Sequence, residues 1–234
     1  TCAPGVFKGM VSYEYVRNLA ERLHPQGRLV MGNSTPIRWC WLAPYLDGMG
    51  FEIDWNKKAG WKPASDEQML FHRALCGGKP FGYLMNTDLG TFSNAKMEKY
   101  MMRAVAYGLF PSVFSKTTSG YHYFQTPKLY NRDRALFKKF IPICKAISEA
   151  GWQPVNRLMS VEDPDIYLEQ FGRADGKCYV TVFNNATEAK TVRLRLKKSA
   201  KVPSSELVAR ENVKWNGGEA AITIPAETLR VFAF

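Results

Sequence analysis

The sequence has few of the features that would assign it at once to a common functional class. It contains three histidines and five cysteines in 234 residues, and the cysteines form neither a CxxC pair nor a Cys–His cluster of zinc spacing. We therefore expect no metal site and no dense disulfide framework, and we interpret the cysteines as buried thiols. A Gly-rich phosphate loop, a dinucleotide fingerprint and a Ser–His–Asp signature are also missing, so the sequence indicates no cofactor.

Long apolar runs are missing as well. No stretch approaches the roughly 20 residues that a membrane span needs, and the first residues do not form a signal peptide. We expect no membrane partner. Because the sequence does not begin with methionine, we expect a processed product or a fragment, with any targeting segment upstream of Thr1. A secreted or periplasmic location stays open, and so does the oligomeric state.

Positive charge is abundant, but it is scattered. The formal net charge is +11, which raises the question of nucleic acid or an anionic polysaccharide as a partner. The small basic clusters at Lys138–Lys139 and 193–201 match no nucleic-acid motif, and the alternating residues 193–197 are typical of the solvent-facing side of a strand. We predict that nucleic acid is not a partner.

Residues 1–151 show alternating strand and helix patterns. The composition, 46% hydrophobic and 13% aromatic, supplies ample material for a packed core. Alternation of this kind predicts a parallel sheet with right-handed crossovers, and since a complete eightfold barrel needs about 250 residues, we predict part of a (β/α)8 TIM barrel that forms a catalytic domain. The predicted helices are 12–23, 65–76, 94–107 and 132–149, and the predicted strands are 28–32, 50–54, 79–86 and 109–114.

Residues 152–234 change to a period of two. Short β-runs rich in branched and aromatic residues alternate with turn signals such as Asp175–Gly176 and Asn216–Gly218, which favours antiparallel pairing. We predict a C-terminal antiparallel β-sandwich domain. Its predicted strands are 166–171, 178–183, 191–196, 220–224 and 229–234.

Acidic side chains accompany the apolar stretch 45–55. Asp47, Glu52 and Asp54 lie in or beside a predicted strand, and carboxyl groups of this kind can protonate a glycosidic oxygen or stabilise an oxocarbenium-like transition state. Glu52 and Asp54 share a strand parity, so a regular strand directs both to one face. The alternative is that these carboxylates belong to a solvated loop or a helix cap.

Other polar and aromatic residues follow the predicted strands, where barrel enzymes place their chemistry. Trp39, Trp41 and Trp55 have flat rings suited to stacking on a sugar, although loop aromatics also pack loops onto a scaffold. Asn86 and Asp88 end the third predicted strand. His122, flanked by tyrosines, is a candidate for lining the pocket.

Several segments resemble parts of the barrel-plus-sandwich glycoside hydrolases, especially the α-galactosidase-like group. They are Ala150-Gly-Trp-Gln-Pro after the last helix, Ile224-Pro-Ala-Glu-Thr-Leu-Arg-Val-Phe near the end, and the strand-like segments 79–88 and 107–112. The resemblance covers nearly the whole chain at the level of architecture. It implies the C-terminal portion of such an enzyme, with a carbohydrate substrate.

The resemblance also implies roles for strand-end carboxylates. In that group the acid/base aspartate follows the sixth strand and the nucleophile follows the fourth. If the four strands here are the fifth to the eighth, Asp54 matches the acid/base position, with Glu52 and Asp47 as alternatives, and the nucleophile lies upstream of Thr1. We thus predict a glycoside hydrolase or a fragment of one; the alternatives are a non-catalytic carbohydrate-binding protein and a fragment without activity.

Overall fold

The computed structural model describes residues 8–33, 40–114, 126–173, 175–198 and 200–234. Its first part alternates helices and strands, as the sequence predicts. Two short 3₁₀ helices, His24–Gln26 and Cys40–Tyr45, flank the first strand. The elements in chain order are α1 (Lys8–Leu23), β1 (Met31–Asn33), β2 (Gly48–Glu52), α2 (Asp66–Cys76), β3 (Phe81–Asn86), α3 (Asn94–Ala106), β4 (Phe110–Phe114) and α4 (Pro127–Ala150).

The four strands of this part form one parallel sheet in the order β1-β2-β3-β4, so the predicted parallel sheet is confirmed. The second strand lies two residues earlier than predicted. Pairing begins there because the backbone N–H of Met49 donates to the carbonyl of Pro80 (3.0 Å), and the strand ends at Glu52. This shift decides which carboxylates reach the carboxyl edge of the sheet.

Local signals set the helix starts. The hydroxyl of Ser65 accepts from the N–H of Gln68 (3.2 Å), and the Gln68 side chain accepts from the N–H of Ser65 (3.0 Å), so the predicted capping box opens α2. Ser93 caps α3 through its hydroxyl alone, which accepts from the N–H of Lys96 (3.3 Å). The last helix begins at Pro127 rather than at residue 132, where proline fits because the first turn needs no N–H donor.

The two faces of the parallel sheet differ. One face packs against the helices through residues that are almost fully buried: Met49, Phe81, Tyr83 and Met85. Alternate residues point the other way, and three of them are glycines: Gly48, Gly50 and Gly82. At the two margins of this second face, Met31 is 71% exposed and Phe114 is 43% exposed. Within the described part of the chain, no helix layer covers this face.

The second part of the chain consists of two antiparallel sheets, one of five strands and one of three. The five predicted strands are present to within a residue, and three two-residue strands are added to them. An apolar cluster joins Val180 and Val182 of one sheet to Val192, Leu194 and Ile224 of the other. The strands are β5 (Trp152–Gln153), β6 (Met159–Ser160), β7 (Ile166–Phe171), β8 (Tyr179–Asn184), β9 (Lys190–Leu196), β10 (Ser205–Glu206), β11 (Glu219–Ile224) and β12 (Leu229–Ala233). Their order is β10-β12-β8-β7-β5 in the larger sheet and β11-β9-β6 in the smaller one.

The two parts share an apolar interface. Phe140 and Ile147 of α4 belong to the same buried cluster as Phe171 and Val231 of the antiparallel sheets. Gly108 lies at this junction with φ +67°, and a Cβ atom there would lie 2.3 Å from the Phe171 ring. The position therefore requires glycine both for its backbone conformation and for the close approach of an aromatic ring.

A polar network also joins the two parts. Asp66, at the start of α2, accepts from the guanidinium of Arg103 (2.6 Å) and from the hydroxyl of Tyr107 (2.9 Å). The Asn185 side chain, after β8, donates to the other Asp66 oxygen (3.1 Å) and accepts from the ammonium of Lys62. These contacts connect two helices of the first part to a turn of the second.

The cysteines divide into two environments. Cys76, Cys144 and Cys178 are buried free thiols, as predicted, whereas Cys40 is exposed. The prediction of burial is wrong for Cys40 because it begins the 3₁₀ helix on the surface. Cys2 lies outside the described residues.

Candidate active site at the carboxyl edge of the parallel sheet

Three polar side chains meet where the first three parallel strands end. Asn33, Glu52 and Asn86 are the last residues of β1, β2 and β3. The amide of Asn33 donates to one Glu52 oxygen (2.9 Å), and the amide of Asn86 donates to the other (3.0 Å). Because parallel strands bring their carboxyl ends to one edge, the Glu52 carboxylate lies between two amides while it remains exposed.

The Asn86 side chain is held in a defined orientation. Its amide also donates to the carbonyl of Ile53 (2.6 Å), and its own backbone carbonyl accepts from the N–H of Asn56 (2.8 Å). The Asn86 side-chain oxygen is buried and has no hydrogen-bond partner among the described residues. An amide fixed this way positions Glu52 without rearrangement, as a preorganised site requires.

Asp54 and Trp55 follow Glu52 on a segment that stays alongside β3. The N–H of Ile53 donates to the carbonyl of Leu84 (3.0 Å), and residue 56 is held by Asn86. Asp54 is exposed, and no hydrogen bond or ion pair to its side chain is found in the described ranges. Trp55 is half-buried. Both residues lie beside the Glu52 carboxylate in the chain, at the same edge.

Asp88 lies at this edge too, but its side chain closes a turn. Its carboxylate accepts from the N–H of Gly90 (2.9 Å), and its backbone carbonyl accepts from the N–H groups of Thr91 and Phe92. This is the Asx-type turn expected of an aspartate after a strand. One oxygen of Asp88 is therefore occupied by the loop that it shapes.

Asp47 lies at the opposite edge of the sheet, so the structure does not place it with the other predicted sugar ligands. It precedes the first residue of β2 and accepts from the N–H of Val30 (2.7 Å) and from His24 (2.9 Å). The Val30 hydrogen bond, helped by His24, lowers the pKa of Asp47 although burial opposes the shift. Its role in the structure is to fix the entry of the chain into β2.

The predicted aromatic residues are dispersed. Trp41 is 42% exposed on the 3₁₀ helix between β1 and β2, whereas Trp39 and His122 lie outside the described residues. Trp61 has the ammonium groups of Lys62 and Lys99 over its ring, at 5.3 and 5.8 Å from the centroid. The Trp61 ring thus takes part in cation–π contacts of the kind that hold a loop in place.

Asn33 is the site residue that the sequence analysis missed. Its signal was present, since the predicted strand 28–32 ends beside it, but an asparagine after a strand is also common in turns. Gly50 lies opposite Asn33 in the register, and a Cβ atom there would be in ordinary contact with the Asn33 side-chain oxygen, at 3.5 Å. Searching the ends of all consecutive parallel strands for amides as well as acids would have found it.

The described ranges contain neither a metal-binding cluster nor a membrane-spanning helix. No three His, Cys, Asp or Glu side chains there are grouped so as to hold a metal ion. No helix there is long and apolar enough to cross a membrane.

Comparison with known proteins shows likeness in fold. No protein-family model matches the chain, and no curated protein matches it. Among solved structures, α-galactosidase I from Mortierella vinacea is similar, with a TM-score of 0.56 and 12% identity over 97% of this chain and 64% of that chain. An α-amylase from Geobacillus thermoleovorans, solved with acarbose, has a TM-score of 0.54 and 12% identity over 94% of this chain and 57% of that chain.

A third similar structure is an Anoxybacillus α-amylase, with a TM-score of 0.53 and 13% identity over 94% of this chain and 56% of that chain. The chain thus spans roughly three fifths of the length of these glycosidases. At such low identity the likeness establishes a glycosidase-like α/β fold with a parallel sheet.

Proposed function

We propose that this chain is the C-terminal portion of a glycoside hydrolase. In this proposal residues 1–151 supply part of a (β/α)8 barrel that forms the catalytic domain, and residues 152–234 form an antiparallel β-sandwich packed against it. The parallel sheet and the likeness to part of three glycosidases support the architecture. Carbohydrate is accordingly the proposed substrate class.

The observation that carries the catalytic proposal is the Glu52 carboxylate between the amides of Asn33 and Asn86. It lies at the carboxyl edge of a parallel sheet, where barrel enzymes have their active sites. We assign Glu52 as the carboxylate that faces the positive charge developing at the anomeric carbon. Each of its oxygens accepts a hydrogen bond from an amide, and such bonds favour the ionised form of a carboxyl group. Both N–H donors of the Asn86 amide are taken by Glu52 and Ile53, so this amide orients the carboxylate, whose remaining lone pairs are available to a sugar.

Glycoside cleavage needs a second carboxyl group, about 5–5.5 Å away for retention or roughly 6.5–9.5 Å away for inversion. Asp54 is the first candidate, because it is exposed and lies two residues beyond Glu52. Asp88 is a weaker one, since the Gly90 N–H occupies one of its oxygens. The alternative source of the second carboxyl group is a strand outside this chain.

The uncovered face of the parallel sheet supports the proposal that strands outside this chain complete the barrel. Parallel sheets are almost always covered on both faces, yet Met31 and Phe114 at the margins of this face are exposed. In the proposed barrel, this face turns inward and packs against the side chains of the remaining strands. Gly50 and Gly82 add no side chain to this face, whereas a Cβ atom on Gly48 would already lie 3.2 Å from the Met31 side chain.

The test is turnover by the intact protein, expressed from its complete reading frame. Glu52→Gln keeps the size of the side chain but removes its charge, and we expect hydrolysis of an aryl glycoside to fall by at least about 10²-fold, in line with losses at catalytic electrostatic groups. Glu149→Gln is the matched control, because Glu149 is exposed on α4 and pairs only with Lys145 among the described residues. Equal activity of the two variants would refute the role of Glu52.

Asp54 is tested by comparing leaving groups. If Asp54 protonates the departing oxygen, Asp54→Asn should reduce turnover by about 10²–10⁴-fold on a substrate with a poor leaving group. It should reduce turnover much less on an activated aryl glycoside, whose leaving group barely needs a proton. Equal, small losses on both substrates would exclude the acid role. Tight binding of oligosaccharide without hydrolysis by the unmodified protein would instead favour a non-catalytic carbohydrate-binding function.

A further inference from the structure

A cleft lies between helix α4 and the segment that precedes β11, and neither Glu52 nor Asn86 is among the residues that line it. Its volume is about 700 Å³, within the range of small-ligand sites. Apolar residues such as Ile143 and Phe232 contribute to its lining. Charged and hydroxyl groups also line it, among them Lys138, Ser204 and Arg210. The cleft is therefore amphipathic rather than purely apolar.

One wall of the cleft is fixed by a buried carboxylate. Glu206 is 5% exposed, and its oxygens accept from the backbone N–H groups of Val208 (2.9 Å), Ala209 (2.8 Å) and Arg210 (2.9 Å). These bonds hold Arg210 at φ +59°, a left-handed conformation that is costly for a side chain with a Cβ atom. Strain of this kind, held by its surroundings, is a recognised mark of ligand sites.

Positive charge in the cleft exceeds what its own carboxylates neutralise. Both acidic residues of the lining are already paired with Arg230: Glu206 at 3.5 Å and Glu211 at 3.0 Å. Lys139 pairs with Glu98, outside the cleft, at 3.5 Å. Across the described ranges no ion pair to Lys138 or Arg210 is found. Two cations thus face the cleft from opposite walls without an acidic partner in the part of the chain that the structure describes.

The cleft also offers a ring and a free acceptor. Trp215 is half-buried against Phe232, edge to face, with ring centroids 5.9 Å apart. Pro142 lies inside α4, and because proline has no N–H, the carbonyl of Lys138 loses its helical donor. An indole beside donors, acceptors and cations of this kind is a combination that suits a sugar ring bearing an anionic group.

We propose that this cleft binds an acidic oligosaccharide, with Lys138 and Arg210 contacting its carboxylate groups and Trp215 contacting the ring. A uronate-type sugar fits because it combines an apolar ring face, hydroxyls and one negative charge per unit. The site is separate from Glu52 and does not depend on catalysis at the sheet edge. Its ligand chemistry also matches the net charge of +11, since a basic surface attracts anionic ligands.

The experiment is calorimetric titration of the chain with a tetramer of galacturonate and with a neutral maltotetraose. We expect saturable binding of the acidic tetramer that weakens as salt rises, and no comparable binding of the neutral one. Arg210→Gly removes the cation and also relieves the positive-φ strain, so the variant should fold, and we expect its affinity to fall about tenfold or more. Lys138→Ala and Trp215→Phe should weaken binding as well.

Lys145→Ala is the control, because Lys145 is exposed on the same helix and pairs with Glu149, away from the cleft. It should bind the acidic tetramer as the unmodified chain does. The proposal is overturned if neither tetramer binds, if both bind equally, or if Arg210→Gly and Lys145→Ala behave alike. Complete competition by an equal concentration of inorganic sulfate would also overturn it, by indicating a simple anion site. None of these readouts depends on hydrolysis, so they separate this site from the proposed function.

Discussion

Replacing Asp66 by asparagine should destabilise the whole chain, because Asp66 neutralises a buried cation at the junction of its two parts. Arg103 is 2% exposed and Asp66 is 17% exposed at their side chains. The amide oxygen of an asparagine could still accept from Tyr107, so Asp66→Asn removes mainly the charge. One guanidinium nitrogen of Arg103 already has no hydrogen-bond partner among the described residues, which leaves the group little means of compensation.

The expected magnitude follows from the cost of leaving a buried charge unpaired. Breaking such a pair by removing one partner costs about 3–5 kcal/mol. For a chain of this size each kcal/mol corresponds to roughly 2–4 °C in the unfolding midpoint, so Asp66→Asn should lower the midpoint by about 6–20 °C. The measurement is thermal unfolding followed by circular dichroism, with urea unfolding for the free energy.

Glu67→Gln is the matched control, since Glu67 lies in the same first turn of α2 but is exposed, and no ion pair joins it to Arg103 in the described part of the chain. Glu67→Gln removes the same charge from the start of the helix. Any larger loss of stability in Asp66→Asn therefore comes from the contacts of Asp66 at the junction of the two parts. A loss for Asp66→Asn below about 1 kcal/mol, or one equal to that of Glu67→Gln, would refute the reasoning.

The pH dependence gives a second check on Asp66. Burial raises its pKa, but the hydrogen bonds and charge of Arg103, together with Tyr107, outweigh burial and hold the pKa below 3.8. The ionised form is thus the stabilised one, and its contribution is present above the unfolded pKa and lost as the pH falls through the folded one. The difference in stability between the unmodified chain and Asp66→Asn should therefore shrink in strong acid.

Two further predictions concern the core. His72 is fully buried between Phe51 and Phe81, and neither of its ring nitrogens has a hydrogen-bond partner among the described residues. Burial lowers its pKa from 6.5 to about 4, so protonation of the imidazole favours the unfolded state. The free energy of unfolding should therefore fall by about 3 kcal/mol as the pH drops from 6.5 through 4. His72→Phe should remove that pH dependence and raise the free energy of unfolding by about 1–2 kcal/mol at pH 7. If urea unfolding showed the same loss of stability in acid for this variant as for the unmodified chain, the prediction would be wrong. Gly108→Ala should lower the free energy of unfolding by more than about 2 kcal/mol, because the added methyl group meets the Phe171 ring. Gly27 has a similar φ of +69° but open space around it, so Gly27→Ala should lower it by only about 1–2 kcal/mol. Equal losses for the two variants would show that Phe171 moves aside.

Much of the fold was predictable from local patterns. Helical spacing and the Ser65 capping box located α2, and the period of two located β7 to β9 together with β11 and β12. The division of those strands between two sheets was not predictable, because pairing partners are set by long-range packing. Strands of two residues, such as β10, carry too few residues for a period to be visible.

The candidate site was predictable in part. The stretch 45–55 marked Glu52, but its glycines left the strand boundary undefined by two residues, so the sequence could not show that Glu52, rather than Asp54, ends the strand. The orientation of Glu52 depends on hydrogen bonds to Asn33 and Asn86, residues that are 19 and 34 positions away in the chain. Contacts of that separation arise only when the parallel register is known.

A crystal structure of the intact protein with a monosaccharide product bound is the direct test of the proposed site at Glu52. We expect a sugar at the carboxyl edge of the parallel sheet, with an oxygen atom within hydrogen-bonding distance, about 2.6–3.2 Å, of the Glu52 carboxylate. A sugar bound elsewhere in the barrel part, with the Glu52 edge free of it, would exclude Glu52 from the active site.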